Sequence, residues 1–169
     1  MRSLTKSLLQ LNVAILCSVA AFNLSAALII VEPSKNSYKD IQEALIIAEP
    51  GDVVRLTGGT FVIKDGLSLD VPGVKIEGEG MDASILEFSN QKSGAQGLLV
   101  TSDNVTLQDF AVVNAKGDAI KSKGADNIAF IRVKTEWTGG PKTTNGAYGL
   151  YPVESENILI DDCVAIGAS

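Results

Sequence analysis

The 169-residue sequence contains no histidine. That excludes Ser-His-Asp and Cys-His nucleophile arrangements, and zinc or copper sites that use imidazole. There are two cysteines, Cys17 and Cys163. Cys17 lies in an N-terminal stretch expected to be removed, so no intramolecular disulfide is expected in the mature chain. Aromatic residues make up 5% of the chain against 46% hydrophobic residues in all. Small and β-branched side chains must therefore fill the interior, as they do between stacked strands. Five prolines beside sixteen glycines suit many short strands joined by tight turns rather than disorder. Positive charge is scarce: the formal net charge is −6, and loss of Arg2 and Lys6 with a leader would take it to −8. Nucleic acid is not an expected partner, because binding it needs clustered Lys and Arg to displace counterions.

Residues 1–27 read as a secretory signal. Arg2 and Lys6 form the positive start, Leu8 to Phe22 are mostly apolar, and small residues follow at Ser25-Ala26-Ala27. Cleavage is expected after Ala26 or Ala27, giving a secreted or periplasmic protein with no membrane span. Gln10, Asn12, Ser18 and Asn23 interrupt the apolar run and argue against an anchor. Residues 28–169 read as one domain.

What this domain has in abundance is repetition. One nine-residue phrase begins at Asn104, Asn127 and Asn157, at intervals of 23 and 30 residues, and a weaker copy runs from Gly73 to Gly78. Repeats of this length predict units that cannot bury their own apolar faces and must stack. Counted from each Asn, apolar residues fall at +1 (Val105, Ile128, Ile158), +3 (Leu107, Phe130, Ile160) and +6 (Phe110, Val133, Cys163). Strand alternation has period two, so the step from +3 to +6 requires a corner at +4 and +5. A third strand, Ala119 to Lys123, completes a unit of three strands and three corners. The units would stack about 4.8 Å apart, each column forming a ladder of like side chains.

The Asn column, Asn104, Asn127 and Asn157, is read as a structural ladder, since Asn tolerates left-handed backbone and stacked amides can bond to one another. Asp109, Arg132 and Asp162 at +5 are read as an outer-corner charge ladder. Cys163 is read as a small buried hydrophobe. Upstream, Leu28 to Val31 reads as a strand. Ser37 is the expected N-cap of a helix that buries Ile41, Ala44, Leu45 and Ala48, with Asp40 in its first turn and a stop at Glu49-Pro50-Gly51-Asp52. Val53–Leu56, Phe61–Ile63, Leu67–Val71, Val74–Glu77, Ile85–Phe88 and Leu98–Val100 are the next strand candidates.

These residues resemble the right-handed parallel β-helix proteins of the pectin-lyase-like superfamily, in particular its carbohydrate-binding and sugar-hydrolase group. Ile41-Gln42-Glu43-Ala44, Ala48-Glu49-Pro50-Gly51-Asp52-Val53-Val54 and Gly58-Gly59-Thr60-Phe61 look like the entrance to that fold, a capping helix and then a first strand. Val74-Lys75-Ile76-Glu77-Gly78-Glu79-Gly80 and the Asn-led phrases match its later coils. The resemblance implies an all-β, right-handed parallel β-helix of three-strand coils with an N-terminal capping α-helix. About five coils are expected, fewer than that family usually has. The last phrase stops in mid-coil at Ile166-Gly167-Ala168-Ser169, from which a longer parent protein is expected. The family's members include polysaccharide lyases, glycoside hydrolases, uronan epimerases and proteins without assigned chemistry, so function must come from the site.

Aligning the third strands on the following Asn pairs Asp118 with Tyr148, Ile120 with Leu150, and Lys121 with Tyr151. With Ile120 and Leu150 inward, Asp118, Lys121, Tyr148 and Tyr151 face outward, and the insertion Trp137 to Gly146 projects beside them. Trp137, Tyr148 and Tyr151 are the expected sugar-binding residues, with the ring faces stacking on a pyranose and Lys121 pairing with a uronate carboxylate; the alternative is that Trp137 and Tyr148 pin the long loop to the solenoid and Lys121 is merely solvated. Lyase chemistry would need a base and a cation, for which Asp118, Lys121 and Arg132 are the candidates and Lys123 a further cation. Asp161 and Asp162 are candidate Ca²⁺ ligands, with Asp118 as a third carboxylate. Polysaccharide binding is the expected function. An active lyase, epimerase or hydrolase and a non-catalytic protein-binding scaffold are the alternatives.

Overall fold

A computed structural model describes residues 26–169. The expected leader therefore lies outside the described residues except for Ala26 and Ala27. The fold is built mostly of strands in parallel sheets, with one short helix. It opens with β1 (Leu28–Val31), α1 (Ser37–Ile47), β2 (Val53–Leu56), β3 (Gly59–Val62) and β4 (Leu67–Leu69). β5 (Lys75–Glu77), β6 (Ser84–Glu87) and β7 (Gln96–Val100) follow, then the longer β8 (Thr106–Val113), β9 (Asp118–Lys123) and β10 (Ala129–Glu136). β11 (Leu150–Val153), β12 (Leu159–Asp161) and β13 (Val164–Ile166) end it.

Strands far apart in sequence lie side by side and run in one direction. One path of hydrogen-bonded neighbours is β1-β2-β5-β8-β10-β12, a second runs β3-β6-β8-β10-β13, and a separate sheet runs β4-β7-β9-β11. The register follows the repeat: Leu107 pairs with Phe130 and Phe130 with Ile160, while Phe110 pairs with Val133. The +1, +3 and +6 columns of the first two phrases are buried in a single apolar core with Val54, Ile76 and Leu86.

β8 and β10 belong to both long paths because each bends once. Asp109, Arg132 and Asp162 all have positive φ, at 58°, 48° and 50°. In β8, residues before the bend pair with β5 and residues after it with β6. The corner thus turns on a single left-handed residue at +5. Asn104, Asn127 and Asn157 make the other corner, with φ of 60°, 58° and 56°. The Asn127 amide donates to Asn104 Oδ1 at 3.1 Å and the Asn157 amide to Asn127 Oδ1 at 3.2 Å.

α1 buries Ile41, Ala44 and Leu45 and lies against β1, β3 and β4. Ser37 is not its N-cap. It is the first helical residue, fully buried, and its hydroxyl donates to Ser34 O and accepts from Ser34 N–H. Asn36 holds the cap position without a side-chain bond. Gln42 reaches the outer edge of β4, donating to Ser68 O and accepting from Ser68 N–H, both at 2.9 Å. The side-chain amide thereby fills hydrogen bonds that a further strand would make. At the opposite end, Ile160 continues a column of buried side chains yet is 52% exposed. No helix among the described residues is long and apolar enough to cross a membrane.

Candidate functional site

The sheet β4-β7-β9-β11 carries Lys121 and Tyr151, in register on neighbouring strands. In β9, Ala119 and Ile120 are both buried, which breaks simple alternation. Gly149 and Leu150 occupy the matching places beside β11. The approach is close there: a Cβ on Gly149 would stand 2.3 Å from Thr135 Oγ1. Two consecutive inward residues return positions i and i+3 to one face, which ordinary period-two alternation would separate. Asp118 and Lys121 therefore face outward together, and so do Tyr148 and Tyr151.

The two tyrosine rings stack with centroids 4.3 Å apart and planes at 23°. Tyr151 pairs in register with Lys121, whose Nζ stands 4.9 Å over its ring. Asp118 Oδ1 accepts from the Tyr148 backbone N–H at 3.2 Å. Tyr148 is 50% exposed, so the cluster offers solvent an aromatic surface flanked by an ammonium and a carboxylate. Each contact contributes modestly, about 0.5–1.5 kcal/mol for the ring pair and about 0.5–1 for the exposed cation–π contact. Together they fix the orientation of side chains that would otherwise rotate freely.

Trp137 does not belong to this surface. It is 5% exposed, packs on the core, and its indole N–H donates to Ala115 O at 2.7 Å. Its ring anchors the inserted loop and lies apart from the tyrosine face with which the sequence grouped it. Around it lies a polar cleft of about 560 Å³, lined in part by Gln91, Asn114, Lys116, Lys142 and Asn145. This cleft leaves no trace in the repeat columns, because the loops that line it fall between the phrases.

Arg132 is also elsewhere. It sits at the +5 corner and grips Asp109 through two bonds, Nε to Oδ1 at 2.6 Å and a terminal nitrogen to Oδ2 at 2.8 Å. The guanidinium holds the Asp109 carboxyl below its ordinary range. Asp109 in turn raises Arg132, with smaller contributions from the charges of Asp161 and Asp162. The three candidate catalytic residues are thus divided: Asp118 and Lys121 share the tyrosine face, and Arg132 is committed to an ion pair on another corner. Asp161 and Asp162 are exposed beside Arg132. Among the described residues no three or more Asp, Glu, Cys or His side chains converge as a metal site.

The Asp109–Arg132 pair gives a pH prediction. The folded carboxyl is depressed, so its stabilisation is complete above the unfolded value, for which 3.8 is the reference. It is lost as pH falls through the lower folded value. Arg132 is 41% exposed in its side chain, so screening limits the effect to roughly 0–1 kcal/mol. Asp109→Asn keeps a residue tolerant of left-handed backbone. The stability gap between wild type and this variant, measured by urea unfolding, is expected to be constant near neutrality and to close below about pH 4. A gap unchanged at pH 3 would mean the ion pair contributes nothing.

Cys163 packs partly buried against the core, with its Sγ 3.4 Å from Phe130 O. No protein-family model matches the chain, and a search of curated proteins finds no match.

Proposed function

We propose that the chain is a secreted or periplasmic right-handed parallel β-helix of the pectin-lyase-like kind, which binds polysaccharide through the face carrying Tyr148, Tyr151, Lys121 and Asp118. The long-range parallel registers and the intervals of 23 and 30 residues between phrases support stacked three-strand coils. The packing of α1 and the bond from Gln42 to the β4 edge support a helix that caps the first coil.

The observation that carries the functional reading is the stacked tyrosine pair under an ammonium on an open strand face. Apolar C–H faces of a pyranose pack on aromatic surface, while Lys121 and Asp118 can bond to ring substituents. The reading is one of binding. Glycoside hydrolysis needs two carboxyl groups set across a scissile bond, and the carboxylate bonded beside the rings is that of Asp118.

A glycan array probed with the purified protein tests this reading. Retention of at least one polysaccharide class is expected. Tyr151→Ala should weaken that binding about tenfold, the equivalent of 1.4 kcal/mol, without changing the thermal unfolding midpoint by more than a few degrees. An array with no retained glycan, or unchanged affinity in the variant, overturns the proposal.

A further inference from the structure

Asp52 ends the turn after α1 and is 7% exposed. Its two carboxylate oxygens are held by backbone groups. Oδ2 accepts from Glu49 N–H at 2.9 Å, and Oδ1 accepts from Ala27 N–H at 2.7 Å. Among the described residues no Lys or Arg nitrogen lies within 4.0 Å of this carboxylate. Nearly buried carboxylates are usually paired with a cation, whereas the partners of this one among the described residues are backbone N–H groups. The separation of 2.7 Å lies at the short end of the N–H···O range, as suits an amide donating to a carboxylate.

Ala27 is also where the chain enters the fold. Its carbonyl accepts from Val53 N–H at 2.9 Å, just ahead of the register that pairs Leu28 with Val53. Ala26 and Ala27 are both exposed. The small residues Ser25-Ala26-Ala27 allow cleavage after Ala26, with Leu24 third from the end of the leader, or after Ala27, with Ser25 there, and the two have different physical consequences. Cleavage after Ala27 removes the donor at Asp52 Oδ1 and the acceptor for Val53 N–H. Cleavage after Ala26 keeps both and converts the donor into an ammonium.

We propose that the leader is removed between Ala26 and Ala27, and that the new α-ammonium of Ala27 is captured by the Asp52 carboxylate. The proposal rests on the secretory reading. In the cleavage, a leader peptidase of the host uses one water. The Ala26–Ala27 amide C–N bond breaks, the water oxygen bonds to the Ala26 carbonyl carbon to give a carboxylate, and the nitrogen takes up protons to become the ammonium. The result is a charged clasp at the first strand, where the nearly buried carboxylate gains a cation. The chain then begins with no loose residues ahead of the sheet.

Two measurements test it. The protein is expressed with its own leader in a bacterial host, and the exported form is analysed by intact mass and N-terminal sequencing. A chain beginning at Ala27 is expected. One beginning at Leu28 or any other residue overturns the proposal while leaving secretion intact, whereas an uncleaved chain overturns the secretory reading itself. In the second measurement, Asp52→Asn is placed in the Ala27-initiated protein with either a free or an acetylated amine. A larger fall in Tm is expected with the free amine. Equal falls would assign Asp52 to the turn alone and overturn the ammonium capture.

Discussion

Phe110→Ala is expected to destabilise the protein by about 3–5 kcal/mol. Phe110 is fully buried and pairs with Val133 on the strand that stacks above it. It directly follows the left-handed residue Asp109, so its backbone is fixed by a corner that recurs at Arg132 and Asp162. Gly78 packs closely behind it, with the position of a Cβ only 2.9 Å from that of Phe110. Walls built of hydrogen-bonded strands cannot collapse into the space that a lost ring leaves. The cost therefore includes a cavity as well as the lost transfer energy. Ile160→Ala is the control. Ile160 continues the column of Leu107 and Phe130, both fully buried, yet is itself 52% exposed. Its truncation is expected to cost about 1 kcal/mol or less. Urea unfolding followed by far-UV circular dichroism would separate the two. Similar losses would show that repeat position, rather than burial, sets the energetics.

That comparison also marks how far the sequence could be read. The column of Leu107, Phe130 and Ile160 is visible as a pattern because parallel stacking repeats one chemical demand at each level. Tyr148 and Tyr151 were legible for the same reason. The 30-residue interval between Asn127 and Asn157 carries Lys121 onto Tyr151, and the structure has that pairing. Exposure was not legible, since Ile160 obeys the same pattern as its buried neighbours. Trp137 shows the limit most clearly. A lone tryptophan in a polar insertion reads either as a ligand platform or as an anchor for the loop, and the third dimension supplies the Ala115 carbonyl that accepts from its N–H. The corner at +5 appeared as a break in alternation. The left-handed turn at Arg132, a residue type that rarely adopts it, had no local signal. Ser37 was misplaced because its hydroxyl serves the preceding turn at Ser34 rather than the free N–H groups of α1.

Gly117→Ala is expected to cost about 3 kcal/mol, near the upper end for overpacking, and to abolish glycan binding in whatever fraction remains folded. A Cβ at Gly117 would lie 1.8 Å from Ala95 O, and one at Gly146 would lie 1.9 Å from Gly117 O. Three backbone segments are therefore stacked with no room for a side chain between them. The obstacle is main chain on both sides, so no rotamer change can relieve it. Separating the segments would break the bond from Asp118 N–H to Ala95 O, which is 3.2 Å long. Asp118 would move with it, and through its 3.2 Å contact with the Tyr148 N–H the displacement would reach the aromatic pair. Gly124→Ala isolates the steric cause. Gly124 has φ of 58° but nothing within 4 Å of its Cβ position. It should lose only the cost of left-handed backbone, roughly 1–2 kcal/mol, and keep the tyrosine face intact. Thermal unfolding and glycan affinity measured on both variants decide the matter. Equal destabilisation with binding retained at Gly117 would mean that the close approach of Ala95, Gly117 and Gly146 does not position the site.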